Sequence, residues 1–193
     1  MSSADALPTL SFRDSAAFEA WLAEHHASSP GLWLAIAKKG APEPTVSYAE
    51  ALDVALCYGW IDGQKGRLDE AYFKQRFTPR KGRSRWSKIN CGKATELIAR
   101  GRMQPAGLRE VERAKADGRW DAAYAGQRTA EVPDDLAAAL AKDPEAQAFF
   151  ATIDRVNRYA ILYRIQDAKK PETRARRIEK FVAMLHAGEK IHN

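Results

Sequence analysis

Apolar residues recur every three or four positions along most of this chain and every second position over one short stretch, which predicts helices gathered around a small sheet. Leu10-Ser11-Phe12 reads as a short strand, and Asp14 is placed to cap a helix carrying Phe18, Trp21, Leu22 and His25. Leu32 to Ala37 is an unbroken apolar run, short enough for a strand covered on both faces. Ser47-Tyr48-Ala49-Glu50 has the form of a capping box, and the helix it opens runs through Ala51, Leu52, Val54, Ala55 and Tyr58 to a C-terminal glycine, Gly59.

Beyond Gly59 the period shortens towards two. Trp60 to Leu68 reads as an extended segment, Leu68-Asp69-Glu70-Ala71 as the turn of a hairpin, and Tyr72 to Arg80 as its second strand. With Phe73, Gln75 and Phe77 on one side, Lys74 and Arg76 must face the other way together. Ser84 or Ser87 then caps a helix bearing Ile89, Ala94, Leu97 and Ile98, closed by Gly101, and Pro105 opens another with Leu108, Val111 and Ala114 inward and Gly118 as its stop. Residues 119–131 lose regular period and read as a linker that packs across the first domain. The remainder is helical: one helix with Leu136 and Leu140, one from Asp143-Pro144, one capped by Asp154, and one from Pro171 with Ile178, Phe181, Val182 and Leu185 inward. The expected architecture is an α+β domain over residues 7–118, with a small mainly antiparallel sheet flanked by helices, then the linker and an all-helical C-terminal domain over 132–190.

Charge adds a focus to this outline. Seven Lys or Arg and no acid lie from Phe73 to Lys88; from Lys65 to Lys93 ten bases stand against Asp69 and Glu70, a local net of +8 in a chain whose total is +6. Such concentration predicts a site for something anionic, a small molecule or a nucleic acid. The candidate ligand residues are Trp60, Asp62, Lys74, Arg76, Arg80, Arg83, Ser84, Trp86, Ser87 and Asn90. Free N–H groups at a helix start, serine hydroxyls and arginines are the ingredients of an anion cradle. Trp60 and Trp86 read as partly core, with an indole N–H finding a partner at the edge, or as a stacking surface for a base. Asp62, the one acid among these residues, is expected to order the loop by ion pairing, with a general base as the alternative. Arg174, Arg176, Arg177 and Lys180 read as a solvated helical face, and as an extension of the basic surface if the ligand is a nucleic acid.

Phosphate-loop, dinucleotide, zinc-protease and Cys-x-x-Cys patterns are missing, and His25, His26, His186 and His192 are remote in sequence from Ser84, Ser87 and Cys91. No catalytic residue, metal or cofactor is therefore assigned, and the reading leans away from an enzyme. His25 and His26 are placed to interact with a helix C-terminus. Two cysteines, no signal-like N-terminus and no long apolar run lead to the expectation of a cytoplasmic protein that does not insert into a membrane.

The motifs Ala55-Leu56-Cys57-Tyr58-Gly59-Trp60-Ile61-Asp62-Gly63, Phe77-Thr78-Pro79-Arg80, Ser84-Arg85-Trp86-Ser87 with Asn90, and Gly101-Arg102-Met103 with Gly107 resemble the YdeI/OmpD-associated family, also described as bacteriocin-protection proteins. Ala168-Lys169-Lys170-Pro171-Glu172-Thr173-Arg174-Ala175-Arg176-Arg177-Ile178 resembles the second signature of the same family. The resemblance covers almost the whole chain. It implies a link to bacteriocin or antimicrobial stress and, through the name alone, association with a porin, and it brings no reaction, cofactor or catalytic set. The leading expectation is a non-enzymatic binding protein with an anion site; a nucleic-acid binder and an enzyme acting on a phosphorylated small molecule are the alternatives.

Overall fold

The computed structural model describes residues 7–192, in two compact units, the first ending at Ala123 and the second beginning at Tyr124. The first unit contains strands β1 (Thr9–Leu10), β2 (Leu32–Ala37), β3 (Trp60–Arg67) and β4 (Tyr72–Pro79) and helices α1 (Ser15–His25), α2 (Tyr48–Cys57), α3 (Lys88–Ala99) and α4 (Pro105–Ala116). The sheet order is β1-β2-β4-β3, with β1 parallel to β2 and the other pairs antiparallel. The α+β class and the small sheet with helices, followed by a helical C-terminal part, are therefore as the periodicity predicts.

Pairing settles which side chains share a face. Leu32, Leu34 and Ile36 stand opposite Phe77, Gln75 and Phe73. These residues line the inner face, where all but the partly buried Phe73 are buried and Phe77 meets Phe18 of α1 at 5.9 Å between ring centroids. The intervening residues, Trp33, Ala35 and Ala37 with Arg76, Lys74 and Tyr72 opposite them, form the outer face. Burying Phe77 thus sends Lys74 and Arg76 outward together, because side chains alternate along a strand.

β3 contains a bulge: Asp62 pairs with Phe77, but the next inner-face pair is Lys65 with Gln75, so β3 carries one residue more than β4. The bulge leaves carbonyls without ladder partners, and the buried Gln75 amide supplies them, donating to Gly63 O at 2.8 Å and Gln64 O at 3.3 Å. A polar residue on the inner face is thereby satisfied.

α2 runs through the centre of this unit with Ala51, Leu52, Val54, Ala55, Leu56 and Cys57 all buried. Its capping box forms as expected, Ser47 Oγ accepting from Glu50 N while Glu50 accepts from Ser47 N. At its other end α4 crosses so closely that a Cβ on Gly107 would stand 2.3 Å from Cys57 O and 2.7 Å from Leu56 O. Gly59 turns the chain out of α2 at φ 73°. Ser87, not Ser84, caps α3. Only Ala94 and Leu97 of its expected apolar residues are buried; Ile89 and Ile98 are exposed, because Asn90 takes the inward position in the first turn.

The second unit is helical: α5 (Asp134–Leu140), α6 (Pro144–Thr152), α7 (Arg155–Gln166) and α8 (Pro171–His186). Its core joins Leu136, Leu140, Phe150, Ile161, Ile165, Ile178, Phe181 and Leu185. Asp143 caps α6 by accepting from Ala146 N, and its carboxylate also meets His186 Nδ1 at 3.0 Å, with Glu145 3.5 Å from the other ring nitrogen. Asp143, then Glu145, raise the His186 pKa above its ordinary value.

Gly107→Ala should lower stability by about 2 kcal/mol or more, since backbone oxygen must move to admit the methyl group. Gly92→Ala, exposed within α3 with open space around it, should instead raise stability by up to about 1 kcal/mol; urea unfolding of the two variants checks the contrast. His186 takes up a proton more readily folded than unfolded. Its stabilisation is therefore complete below the ordinary histidine value and disappears as pH rises through the raised one. The second unit's thermal midpoint should fall over that window in the wild type and not in His186→Gln.

Candidate functional site

The structure distributes the ten candidate residues over three places in the first unit. Trp60 and Asp62 fall on the inner side of β3. Trp60 is only 1% exposed, packs edge-on to Trp21 at 5.9 Å and donates its indole N–H to His26 O at 3.1 Å. It is a core residue with a satisfied donor. Asp62 accepts from the Tyr48 hydroxyl at 2.9 Å, which joins β3 to the first turn of α2; this phenolic hydrogen bond stands where an arginine ion pair was expected.

Arg80, Ser84, Trp86, Ser87 and Asn90 come together in the segment leading from β4 into α3. Arg80 is 6% exposed and lies flat over Trp86, 3.6 Å from guanidinium carbon to ring centroid. Its backbone N–H donates to Gly59 O, and its Nη1 to Arg85 O. Trp86 is 2% exposed and meets Trp120 at 4.9 Å; Lys115 Nζ lies 5.3 Å from the Trp120 ring. Arg119, ion-paired with Asp117, donates to Ser84 O at 2.7 Å. Two adjoining indoles are thus flanked by a cation on either side, Arg80 against Trp86 and Lys115 against Trp120, while Arg119 ties the loop through Ser84 O. Trp60 finds an acceptor for its N–H, whereas Trp86 Nε1 is buried without one. Ser87 Oγ is occupied in accepting from Asn90 N, and Ser84 Oγ in accepting from Lys81 N. Arg83 stands exposed on the loop.

Lys74 and Arg76 occupy the third place, the outer face. The Arg76 guanidinium lies on Gly63, with Nε 2.9 Å and Nη2 3.2 Å from where a Cβ would stand. Lys74 extends over Gly66, where a Cβ would meet its Cε at 3.2 Å, and its Nζ sits 4.7 Å from the Trp33 ring centroid. The glycines of β3 therefore let two long cations cross the strand while remaining at the surface. Trp33, Ile61, Tyr72 and Thr78 complete this face, all half-buried. Sequence reasoning named both cations but not Trp33, although its alternation with Leu32 and Leu34 was the available signal.

A separate depression of about 540 Å³ is lined by Lys38, Lys65, Gly66, Arg67 and Phe73. Its cations have partners: Lys38 donates to Asp69 O and Glu70 O, Arg67 pairs with Glu70, and Lys65 sits over the Phe73 ring. Burial raises the thiol pKa of both free cysteines, Cys57 to about 11, which keeps them protonated. Among the described residues no His, Cys, Asp or Glu group is arranged to hold a metal, and no helix is long and apolar enough to cross a membrane.

Arg80→Ala should destabilise the first unit by about 2 kcal/mol, removing a buried stacked guanidinium and its carbonyl bond. Arg83→Ala should leave stability within about 0.5 kcal/mol. Chemical denaturation followed by tryptophan fluorescence separates the two.

Residues 10–110, just over half of the chain, match the model of a domain of unknown function (DUF8412), and residues 129–188 match that of the family described as Bacteriocin-protection, YdeI or OmpD-Associated. No curated protein and no solved structure matches significantly. The motifs from Gly59 to Asn90 fall within the first match and the basic motif from Ala168 to Ile178 within the second. The chain belongs to the family of that domain of unknown function, and the match to the YdeI/OmpD-associated, bacteriocin-protection family lies over residues 129–188 rather than over almost the whole chain.

Proposed function

We propose that this chain is a cytoplasmic, non-enzymatic binding protein whose first unit holds an anionic ligand on the outer face of its sheet. One observation carries this reading: Lys74 and Arg76 emerge side by side on that face, laid across Gly66 and Gly63, and no acidic residue of the described strands shares it. Arg83 borders the same basic stretch on the loop after β4. Arg80 and Trp86 are buried in the loop after β4, outside the proposed ligand face.

Asp62 lies on the inner side of the sheet with Tyr48, so its carboxylate is separated by the β-layer from an anion held at Arg76. That separation favours binding over a reaction assisted by Asp62. The free thiols Cys57 and Cys91 fit a reducing compartment. Protection against a bacteriocin, named in the description of the matched C-terminal family, would follow if ligand capture by the first unit were read out through the second.

Thermal shift in the presence of inorganic polyphosphate tests the reading. The wild type should be stabilised in proportion to the logarithm of ligand concentration, by about 2.7 kcal/mol at one hundred times Kd. Lys74→Ala/Arg76→Ala should lose that stabilisation and Asp62→Asn should keep it. A double variant stabilised as strongly as wild type would place the anion elsewhere.

A further inference from the structure

The outer face is more than a pair of cations. Trp33 stands opposite Arg76, and four residues further along the strand pair Tyr72 stands opposite Ala37, with Ala35 and Lys74 between them. At about 3.3 Å per residue the two aromatic positions are roughly 13 Å apart along the strands. Ala35 and Ala37 put only small side chains between the two half-buried rings, and the Tyr72 hydroxyl is anchored by donating to Glu43 O at 3.2 Å. The Lys74 ammonium lies against the indole, and the Arg76 guanidinium lies flat on the Gly63 backbone. Two π-surfaces with two cations between and beside them fit a chain of phosphates carrying flat rings better than they fit a bare anion.

Several of the other basic groups are already committed within the protein. The depression beside Phe73 has its Lys38 and Arg67 bound to the β3–β4 turn. In the second unit Arg174 is paired twice with Asp135 and donates to Ile165 O, and Arg177 donates to Arg164 O at the end of α7. Those two arginines cap a helix C-terminus rather than offer a phosphate site.

Resting on the anion-binding reading above, we infer that the ligand of the outer face is a single-stranded nucleic acid, its bases stacked on Trp33 and Tyr72 and its phosphates met by Lys74 and Arg76. A duplex keeps its bases stacked on each other and presents only phosphates. Single strands should therefore bind more tightly than duplexes of the same sequence.

Fluorescence anisotropy with labelled twelve-residue oligouridylate and oligothymidylate, the matching duplexes and polyphosphate of equal charge provides the test on the full chain. The expected result is single-strand binding at least tenfold tighter than either competitor. The logarithm of the binding constant should fall with the logarithm of salt by about 0.7 per phosphate neutralised. Lys74→Ala/Arg76→Ala should reduce that slope by about 1.4, the share of two phosphates. Trp33→Ala should weaken binding about fivefold or more and leave the slope unchanged, and Trp33→Phe should recover most of it. Should Trp33→Ala unfold, Tyr72→Leu supplies the same comparison at the other stacking position. Equal affinity for polyphosphate, or stacking variants indistinguishable from wild type, would overturn the nucleic-acid assignment and leave the anion site standing. No binding of any polyanion would remove both.

Discussion

The closest constraint in the first unit is the meeting of two helix ends, where α4 begins against the last turn of α2. Gly107 fits there because it has no Cβ, Gln104 N–H donates to Cys57 O at 3.1 Å, and a Cβ on Gly59 would run into Ala106 O. The same Gly59 carbonyl accepts from Arg80 N. One junction therefore fixes where α2 stops, where β3 starts, where β4 ends and from which point the basic loop departs. The motifs containing Gly59, Arg80 and Gly107 are distant in sequence and belong to a single packing problem.

What a chain reveals before folding depends on whether a residue's role is local. The Ser47 and Glu50 box, the positive-φ turns at Gly59, Gly101 and Gly118 and the facing of Phe77 against Lys74 and Arg76 are properties of a few consecutive residues, and they were legible. Residue type alone suits Arg80 to an anion site and leaves Trp86 open between partial burial in the core and a stacking surface. Trp86 packs against Trp120, more than thirty positions away, and Arg80 against Trp86, and no local pattern encodes that. Gln75 followed the apolar face without an evident reason until the bulge in β3 supplied one. The parallel pairing of β1 was equally hidden, since two residues carry no direction.

Basic residues in this protein divide by what they do for the fold. Arg80 and Arg119 organise a loop, and Arg174 and Arg177 close a helix end. Each gives at least one donor to a backbone carbonyl, and Arg119 and Arg174 give others to the Asp117 and Asp135 carboxylates. Lys74 and Arg76 are supported by glycines instead, with the Arg76 Nε buried against Gly63. A dense run of positive charge can thus contain buried scaffold groups and surface cations in nearby positions. Net charge alone does not distinguish them.

The bulge secured by Gln75 also bears on how this hairpin can change over time. A strand that slipped by one residue would turn Lys74 and Arg76 into the core and bring Phe77 to solvent. With the extra residue and its amide clamp located between Asp62 and Lys65, register is set near the middle of the hairpin rather than at its tip. The tip, from Leu68 to Ala71, is held separately, by Lys38 Nζ donating to Asp69 O and Glu70 O and by Asp69 Oδ1 accepting from Ala71 N and Tyr72 N. A change of length there would break those bonds at the tip while the bulge kept the strands behind it in register.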